Sequence, residues 1–351
     1  MLNIYHFLDE DEYEFGNIPL AEGLDFLGHH NFTNLYGLES ENNKPSDVFS
    51  YMKPDYAYDC DYVIVSSQYL KSQNIPLQIS RCRGITILID VDDGGRLTQS
   101  TKYYDSFDWV LRCHYNKLHN WNDSVLPWQF GLPENVLKVL RIYKDLPKTP
   151  GILNTFRNSH QIRNIGLRFI EKSFSPSSII TIEPKELEVI SDKEIEWFDS
   201  KAFKGRHDPK YLRRIADFQT ALAFGGWFEH QTLSLIGVTL RRALIKTQKI
   251  IPRGSILCQF DSWRLWESFA LGQTVIMQDL NLYGNTLPVQ PVNQEHYVGI
   301  DLISGKSVNR ELKDLVDLFP HIGKASTTFF ELNYSNQAIA KRFLESTLIR
   351  K

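Results

Sequence analysis

The sequence contains little cysteine, and its cysteines lack the spacing of a metal or redox motif. The four are Cys60, Cys82, Cys113 and Cys258. Because no two form a C-x-x-C pair, neither a zinc knuckle nor a thioredoxin-type site is indicated. Scattered cysteines in mostly apolar surroundings predict reduced, buried thiols, and we therefore expect a cytoplasmic chain.

Long hydrophobic runs and excess positive charge are also missing. No apolar run approaches the roughly 18 residues that span a bilayer. Residues 1–10 become acidic too early for a signal peptide. Peripheral contact with a membrane is left open by these features. A formal net charge of −3 argues against a broad basic surface, so we expect no nucleic-acid partner.

The sequence has the length and composition of a two-domain α/β protein. It contains 351 residues, of which 42% are hydrophobic and 23% charged, which is enough for two cores. In the first half, short β-branched or aromatic runs predict buried parallel strands. These runs are residues 2–8, 62–66, 85–91 and 109–113. The glycine turn at Gly16, with Pro19 and Gly28 at the ends of a helical pattern, is the usual opening of a Rossmann-like domain.

A second series of strands follows the proline-rich stretch 126–151, which we interpret as the connection between domains. The strand candidates are residues 152–155, 178–182, 222–224, 256–259 and 274–277. We predict two Rossmann-like domains that face a cleft, the first over 1–145 and the second over 146–335. A C-terminal helix over 336–351 has apolar residues at helical spacing and is expected to pack back on the first domain.

The most informative stretch is FDSWRLWESFALGQTVI, residues 260–276. Asp261 or Ser262 can cap a helix that ends at Gly272. Arg264 and Glu267 then share one helix face. The N-terminus of this helix suits a diphosphate, the carboxylate suits ribose hydroxyls, and the guanidinium suits a phosphate. The same spacing is more often that of a solvated surface ion pair, and that interpretation stays open.

The pattern R-x-x-E-x-x-A-x-G-x-x-V-I over residues 264–276 resembles R-x-x-E-A-x-A-x-G-x-P-V-I. That stretch occurs in the C-terminal domain of many GT-B glycosyltransferases, including exostosin-like and glycosyltransferase family 1-like enzymes. The resemblance implies an enzyme that transfers a sugar from a nucleotide-sugar to a glycan, glycolipid or protein acceptor, without a metal or cofactor. It implies that Glu267 binds the donor ribose or sugar, in the second domain. Ser268 and Thr274 depart from the pattern and leave the donor's identity open.

Further donor-binding candidates come from a loop and a basic cluster of the second domain. Arg157 follows the first strand of this domain. Lys204 and Arg206 belong to a cluster that could neutralise the leaving diphosphate, although a charge run is usually a solvated face. Candidates in the loop after the strand at 274–277 are Asn293, His296 and Tyr297, for which an ordinary loop with a packed tyrosine is the alternative.

Candidates for a catalytic base lie at the carboxyl ends of two strands of the first domain. The resemblance places the base of an inverting enzyme in this domain. Asp93 and Asp92 follow one strand, and His114 follows the next. A simple polar turn at Asp92–Asp93 is the alternative.

Two other interpretations compete with the GT-B one. The sequence Asp90-Val91-Asp92 resembles the D-x-D metal motif of GT-A glycosyltransferases, where carboxylates hold a divalent cation on the diphosphate. A GT-A fold would leave the second α/β series unexplained. The remaining alternative is a non-catalytic two-domain protein that closes on a sugar or nucleotide.

Overall fold

The computed structural model describes residues 1–35, 47–93, 100–155, 161–181, 198, 206–230 and 255–348. Two parallel sheets dominate these residues. The first sheet has the strand order β3-β2-β1-β4-β5-β6-β7, and the second has the order β14-β13-β10-β8-β9. β11 and β12 form a separate antiparallel pair. The predicted α/β class with two Rossmann-like domains is therefore confirmed.

The strands of the first sheet are β1 (Asn3–Phe7), β2 (His30–Thr33), β3 (Phe49–Tyr51), β4 (Tyr62–Ser66), β5 (Ile85–Asp90), β6 (Trp109–Arg112) and β7 (Val125–Pro127). Those of the second half are β8 (Thr149–Asn154), β9 (Ile179–Thr181), β10 (Phe218–Leu222), β11 (Trp227–His230), β12 (Ser255–Cys258), β13 (Thr274–Gln278) and β14 (Val298–Ile300). β4 and β5 are buried along their whole length. Continuous apolar strands of this kind are typical of parallel sheets that are covered on both faces.

The helices are α1 (Ile18–Phe26), α2 (Tyr69–Ser72), α3 (Glu134–Lys144), α4 (Gln161–Ser173), α5 (Pro209–Ala216), α6 (Trp263–Ala270), α7 (Phe319–Tyr334) and α8 (Asn336–Leu348). Short 3₁₀ turns complete the described ordered segments. No helix in the described ranges is both long and apolar enough to cross a membrane.

The stretch 126–151 is more ordered than its prolines indicated, because it contains α3. The buried residues of α3, among them Val136, Leu140 and Tyr143, recur at helical spacing and face α5 and α6. The helix therefore packs with the second sheet, although it precedes residue 145. The domain bounds 1–145 and 146–335 stay a prediction.

The C-terminal helix returns to the first domain, as expected. In α8, Ile339 and Phe343 are buried, and the helix packs along α1. The backbone of Asn336 passes so close to Gly23 that a Cβ there would lie 1.9 Å from the Asn336 carbonyl oxygen. Glycine at position 23 is therefore required for this contact.

The helix α6 begins where the sequence predicted. Ser262 occupies the N-cap position, but its side chain makes no capping hydrogen bond. Gly272 has a φ of 70° directly after the helix, a left-handed conformation that glycine adopts at little cost. α7 packs against α6 and holds the N-terminal end of α6 toward the space between the two sheets.

Candidate functional site

A cavity of about 650 Å³ lies between the two sheets, at the carboxyl ends of their strands. In open α/β sheets, this edge is where ligands bind. The wall from the first domain consists of Glu12, Phe15, Gln68, Lys71, Val91, Asp93 and Phe130. The wall from the second domain consists of Arg163, Arg206, His207, Tyr211, Gln259, Asp261, Ser262, Trp263, Arg264 and Glu267.

Three arginines of the second domain line the cavity. Arg264 Nε donates to the Thr155 hydroxyl at 3.1 Å and its Nη2 donates to the Thr155 carbonyl at 3.3 Å. The Arg206 guanidinium lies 4.4 Å from the centroid of the Trp263 ring. Arg163 lies near the start of α4 and donates to the Phe224 carbonyl at 3.5 Å. Planar guanidinium groups gathered in one cleft favour a polyanionic ligand such as a diphosphate, whose oxygens they can bind in pairs.

Glu267 belongs to a buried network, so its carboxylate is largely withdrawn from the cavity. Its Oε1 lies 2.7 Å from His207 Nδ1, and its Oε2 accepts a hydrogen bond from the Tyr211 hydroxyl at 3.3 Å. The side chain is only 3% exposed. On the far side of the imidazole, Nε2 of His207 lies 3.2 Å from the hydroxyl of Tyr13 in the first domain. Burial raises the pKa of both tyrosine hydroxyls, so they remain protonated.

Asp93 and His114 form a pair in the first domain, and Asp93 is the member that reaches the cavity. Their Oδ1 and Nε2 atoms lie 3.3 Å apart, with the Asp93 side chain 57% exposed and the His114 side chain fully buried. The other ring nitrogen of His114 accepts the backbone N–H of Asp261 at 3.2 Å. Because a backbone N–H can only donate, Nδ1 carries no hydrogen, and Nε2 is the nitrogen that donates to Asp93.

The same contacts set the ionisation of this pair. Burial raises the pKa of Asp93, but the hydrogen bonds from His114 and Gln259 and the charges of His114 and Lys71 together lower it by more, so the net shift is downward. Burial lowers the pKa of His114, partly offset by Asp93. Near neutral pH the pair is therefore a carboxylate and a neutral imidazole.

Asp92 and Asp90 do not present carboxylates to the cavity. Asp92 is nearly buried and forms an ion pair with Lys71 at 3.1 Å. Asp90 is fully buried, pairs with Arg112 at 2.8 Å and accepts a hydrogen bond from the Tyr104 hydroxyl. In the described part of the chain, no group of three His, Cys, Asp or Glu side chains could hold a metal ion.

Asp261 joins the two domains at the floor of the cavity. Its carboxylate accepts from the Phe130 backbone N–H at 2.6 Å and from the Trp266 indole at 2.7 Å. Burial raises the pKa of Asp261 to about 8, against the opposing effect of these hydrogen bonds. The carboxyl group is therefore largely protonated at neutral pH, despite lining a cavity.

Aromatic rings from both domains pack together beside these groups. Trp263 contacts Phe15 at a centroid distance of 5.0 Å, Tyr13 at 5.9 Å and Phe130 at 5.8 Å. Phe15 and Phe130 are 4.4 Å apart. The ring of Trp263 therefore bridges the domains, and Arg206, which lies over this ring, lines the cavity.

Three residues around the cavity have left-handed backbone conformations. The φ angles are 55° for His114, 54° for His207 and 57° for Gln259. For residues other than glycine this conformation costs free energy, and it is concentrated at functional sites. It directs the two imidazole rings toward the junction of the domains.

The site predicted from the sequence is brought together only in part. Asp93, Arg206, Ser262, Arg264 and Glu267 line the cavity, and His114 and Asp92 lie directly behind it. Arg157 and Lys204 lie outside the described residues.

The loop candidates are placed away from the cavity. Asn293 donates to Asp279 at 2.6 Å and accepts from the Gly299 backbone at 2.7 Å. His296 stacks on Phe329. Tyr297 is buried, and its hydroxyl accepts from the Leu280 backbone. These contacts order the loop after β13.

Sequence reasoning missed several residues that line the cavity. His207 and Tyr211 were not assigned to the site, although His207 is next to Arg206 in the basic cluster. Glu12, Gln68 and Lys71 follow β1 and β4. Their positions directly after buried parallel strands were the available signal.

Comparison with known proteins gives a fold relationship. The sequence matches no protein-family profile, and no curated protein is significantly similar to it. Among solved structures, HepE of Anabaena, crystallised with UDP and glucose, superposes with a TM-score of 0.52 at 9% identity, over 99% of this chain and 100% of HepE. AviGT4, a glycosyltransferase involved in avilamycin A biosynthesis, is similar with a TM-score of 0.49 at 10% identity, over 98% and 96% of the chains. This chain therefore has the GT-B fold, with two Rossmann-like domains on either side of a cleft.

Proposed function

We propose that this chain is a glycosyltransferase that moves a sugar from a nucleotide-sugar donor to a hydroxyl of a glycan, glycolipid or protein acceptor. The observation that carries the proposal is one cavity with three arginines on one wall and the Asp93 carboxylate on the other. HepE, which has the same fold, was crystallised with UDP and glucose. We carry this class of ligand over to the present cavity.

The three arginines on the second-domain wall of the cavity are suited to bind the departing nucleoside diphosphate. When the bond between the sugar and the diphosphate breaks, negative charge grows on the phosphate oxygens. Arg163, Arg206 and Arg264 are held by a carbonyl, a ring face and Thr155 respectively. Because they are already positioned, they stabilise that charge without a large reorganisation. We therefore propose that these residues bind the diphosphate and that no metal ion is needed.

Asp93 is the proposed general base. It is ionised near neutral pH and lies on the first-domain wall, opposite the arginines. In an inverting reaction, the acceptor oxygen attacks the anomeric carbon while its proton passes to the Asp93 carboxylate. The bond to the diphosphate breaks, and the electron pair leaves with the nucleotide. His114 supports this role by donating Nε2–H to Asp93.

The positions of Asp93 and the arginines indicate which domain binds the acceptor and which binds the donor. We propose that residues 1–145 bind the acceptor and residues 146–335 bind the donor. Asn293, His296 and Tyr297 are left out of the proposed site because their side chains are engaged in the loop after β13. A cytoplasmic location, with or without peripheral contact to a membrane, remains part of the proposal.

A ligand screen followed by a turnover assay tests the proposal. Thermal unfolding is measured with UDP, GDP, ADP and CDP and with their common nucleotide sugars. A ligand at 100 times its dissociation constant stabilises the native state by about 2.7 kcal/mol. We expect one base to raise the unfolding temperature, and its nucleotide sugar to release nucleoside diphosphate on incubation.

Matched variants connect the result to the cavity. Arg206→Ala and Arg264→Ala should weaken nucleotide binding, whereas Arg141→Ala should not. Arg141 is exposed and pairs only with Glu134 at the surface of α3 among the contacts described for its side chain. Binding without any release of nucleoside diphosphate would favour the non-catalytic alternative. Absence of a shift with every nucleotide and nucleotide sugar would refute the proposed donor site.

A further inference from the structure

A continuous set of hydrogen-bonding groups crosses the cleft from one domain to the other. Tyr13 belongs to the loop between β1 and α1. His207 precedes α5, Tyr211 lies on α5 and Glu267 lies on α6. The contacts run from the Tyr13 hydroxyl to His207 Nε2, from His207 Nδ1 to Glu267 Oε1, and from Glu267 Oε2 to the Tyr211 hydroxyl. Three segments distant in sequence are thereby joined at the edge of the cavity.

Glu267 is poorly placed to bind a ligand directly. One of its carboxylate oxygens is engaged by an imidazole and the other by a hydroxyl, and only 3% of the side chain is exposed. Accepting hydrogen bonds from two ribose hydroxyls would require it to give up these buried partners. An unpaired buried donor costs about 1–3 kcal/mol. The ribose contact that the sequence motif implied is therefore disfavoured in this arrangement.

His207 is also buried, with 1% of its side chain exposed, but its partner on Nε2 is Tyr13 of the other domain. The rest of the residue is fixed from several directions. Its backbone is left-handed, and the next residue, Asp208, caps α5 by accepting the Lys210 backbone N–H at 2.8 Å. Its ring makes edge contacts with Tyr13 and Trp263. A carboxylate can only accept, so the contact with Glu267 places a hydrogen on Nδ1. In the neutral imidazole, Nε2 is then a hydrogen-bond acceptor directed toward the first domain.

We propose that Glu267 is a positioning residue that acts through His207, and that His207 Nε2 accepts a hydrogen bond from a hydroxyl of the bound donor. The Tyr13 hydroxyl already occupies that nitrogen and shows the kind of group it accepts. A sugar hydroxyl of the donor takes its place when the cavity is filled. This inference rests on the proposed function, because it requires a nucleotide-sugar in the cavity.

The first test needs no ligand. Histidine is labelled with ¹⁵N, and the His207 signals are assigned from their loss in His207→Asn. Asparagine is chosen because it tolerates a left-handed backbone. Wild-type His207 should carry its hydrogen on Nδ1. In Glu267→Gln, the side-chain amide can present either its oxygen or its NH₂ group to Nδ1, so the ¹⁵N signals of His207 should shift as the preference for a hydrogen on Nδ1 weakens. Unchanged His207 signals in Glu267→Gln would overturn the inference.

The second test separates positioning from direct contact. The nucleotide sugar whose nucleotide gives the largest thermal shift among UDP, GDP, ADP and CDP is titrated into four proteins. These are wild type, Glu267→Gln, His207→Asn and the double variant. We expect each single change to weaken binding about tenfold, and the double variant to match His207→Asn. A further loss in the double variant would mean that Glu267 contacts the ligand directly, which overturns the inference.

Controls keep the two proposals distinguishable. Glu134→Gln, at an exposed carboxylate on α3, should change neither binding nor the His207 spectrum. If none of the nucleotides or nucleotide sugars binds wild type, the proposed function fails, and the role of His207 in ligand binding fails with it. The ¹⁵N spectra still decide whether Glu267 controls the His207 ring. Normal ligand binding together with an unaltered His207 spectrum in Glu267→Gln would overturn this inference and leave the proposed function standing.

Discussion

The backbone N–H of Asp261 donates to Nδ1 of His114 across the domain junction, at 3.2 Å. This single contact determines which nitrogen of His114 carries the hydrogen, and so determines that His114 donates to Asp93. A residue of the second domain thereby orients the proposed base in the first.

Asp93→Asn should reduce turnover by about 10²–10⁴-fold, the usual contribution of general base catalysis. Nucleotide binding should be retained, because Asp93 lies on the wall opposite the arginines. The measurements are nucleotide release with acceptor present and thermal shift with nucleotide alone. Asp105→Asn, at an exposed aspartate away from the cavity, is the control. Full activity in Asp93→Asn would exclude it as the base.

His114→Asn should move the acidic limb of the pH–rate profile to higher pH. Burial raises the pKa of Asp93, and the hydrogen bond and charge of His114 are the largest effects that lower it. Without His114 the pKa of Asp93 rises, so a larger fraction of the base is protonated at mildly acidic pH. Asparagine suits the left-handed backbone at this position. The profile of kcat/KM against pH is the measurement, and an unmoved acidic limb would contradict the pairing.

Asp261→Asn should change how stability depends on pH. The pKa of Asp261 is about 8 in the folded protein and roughly 3.9 in an unfolded chain. The folded state therefore holds this proton more tightly, and the stability it contributes is lost as the pH rises from about 4 through about 8. The variant cannot titrate there, and it loses one acceptor for Phe130 or Trp266.

Its destabilisation relative to wild type should therefore be larger at pH 5.5 than at pH 8.5. Thermal unfolding of both proteins at the two pH values is the measurement. Glu14, whose pKa burial raises to about 7, is present in both proteins and cancels in the comparison. An equal difference at both pH values would show that Asp261 titrates normally.

Trp263→Ala should weaken nucleotide binding more than Trp263→Phe. Both changes alter the ring on which Arg206 rests, but phenylalanine keeps an aromatic face at this position. A cation–π contact is worth about 0.5–2 kcal/mol, so the alanine variant should lose about two- to thirtyfold in affinity. Calorimetric titration of each variant with the nucleotide that binds wild type measures the two affinities and shows which is weaker. Equal affinities in the two variants would mean that the ring face does not position Arg206.

Treatment with EDTA should leave turnover unchanged, because the proposed charge stabilisation comes from arginines. Asp90→Asn should instead cost stability, about 3–5 kcal/mol, by leaving the buried Arg112 without its carboxylate partner. The measurements are activity after dialysis against EDTA and unfolding by urea. Activity that is lost with EDTA and restored by Mn²⁺ or Mg²⁺ would instead support a metal-dependent mechanism.

The fold could be predicted largely because its signals are local. Buried runs such as those of β4 and β5 are continuous in sequence, so each indicates a parallel strand without reference to its neighbours. The strand predicted at 256–259 is present as β12, but it pairs with β11 in a separate antiparallel pair. Which strand pairs with which depends on tertiary contacts that periodicity does not encode.

The site was harder to predict because its key pairs are distant in sequence. Arg264 and Glu267 were identified through a motif. The group that holds the Glu267 carboxylate in place is the imidazole of His207, and the other nitrogen of that imidazole contacts the Tyr13 hydroxyl. No local pattern links these positions. The loop candidate Tyr297 looked available for a ligand in sequence, but its hydroxyl stays bonded to backbone in the fold.

The return of α8 to the first domain has a mechanical consequence. The chain passes between the domains near Gly131 and again at Ser335, where α7 gives way to α8. These two passages lie side by side: a Cβ added to Gly131 would lie 3.6 Å from Ile339 Cδ1, and Arg342 donates to both Gln129 and the Asn333 carbonyl. Two adjacent interdomain connections form a hinge. Links in this arrangement restrict relative motion of the domains mainly to rotation about the line that joins them, and such a rotation would break the contact between Tyr13 and His207.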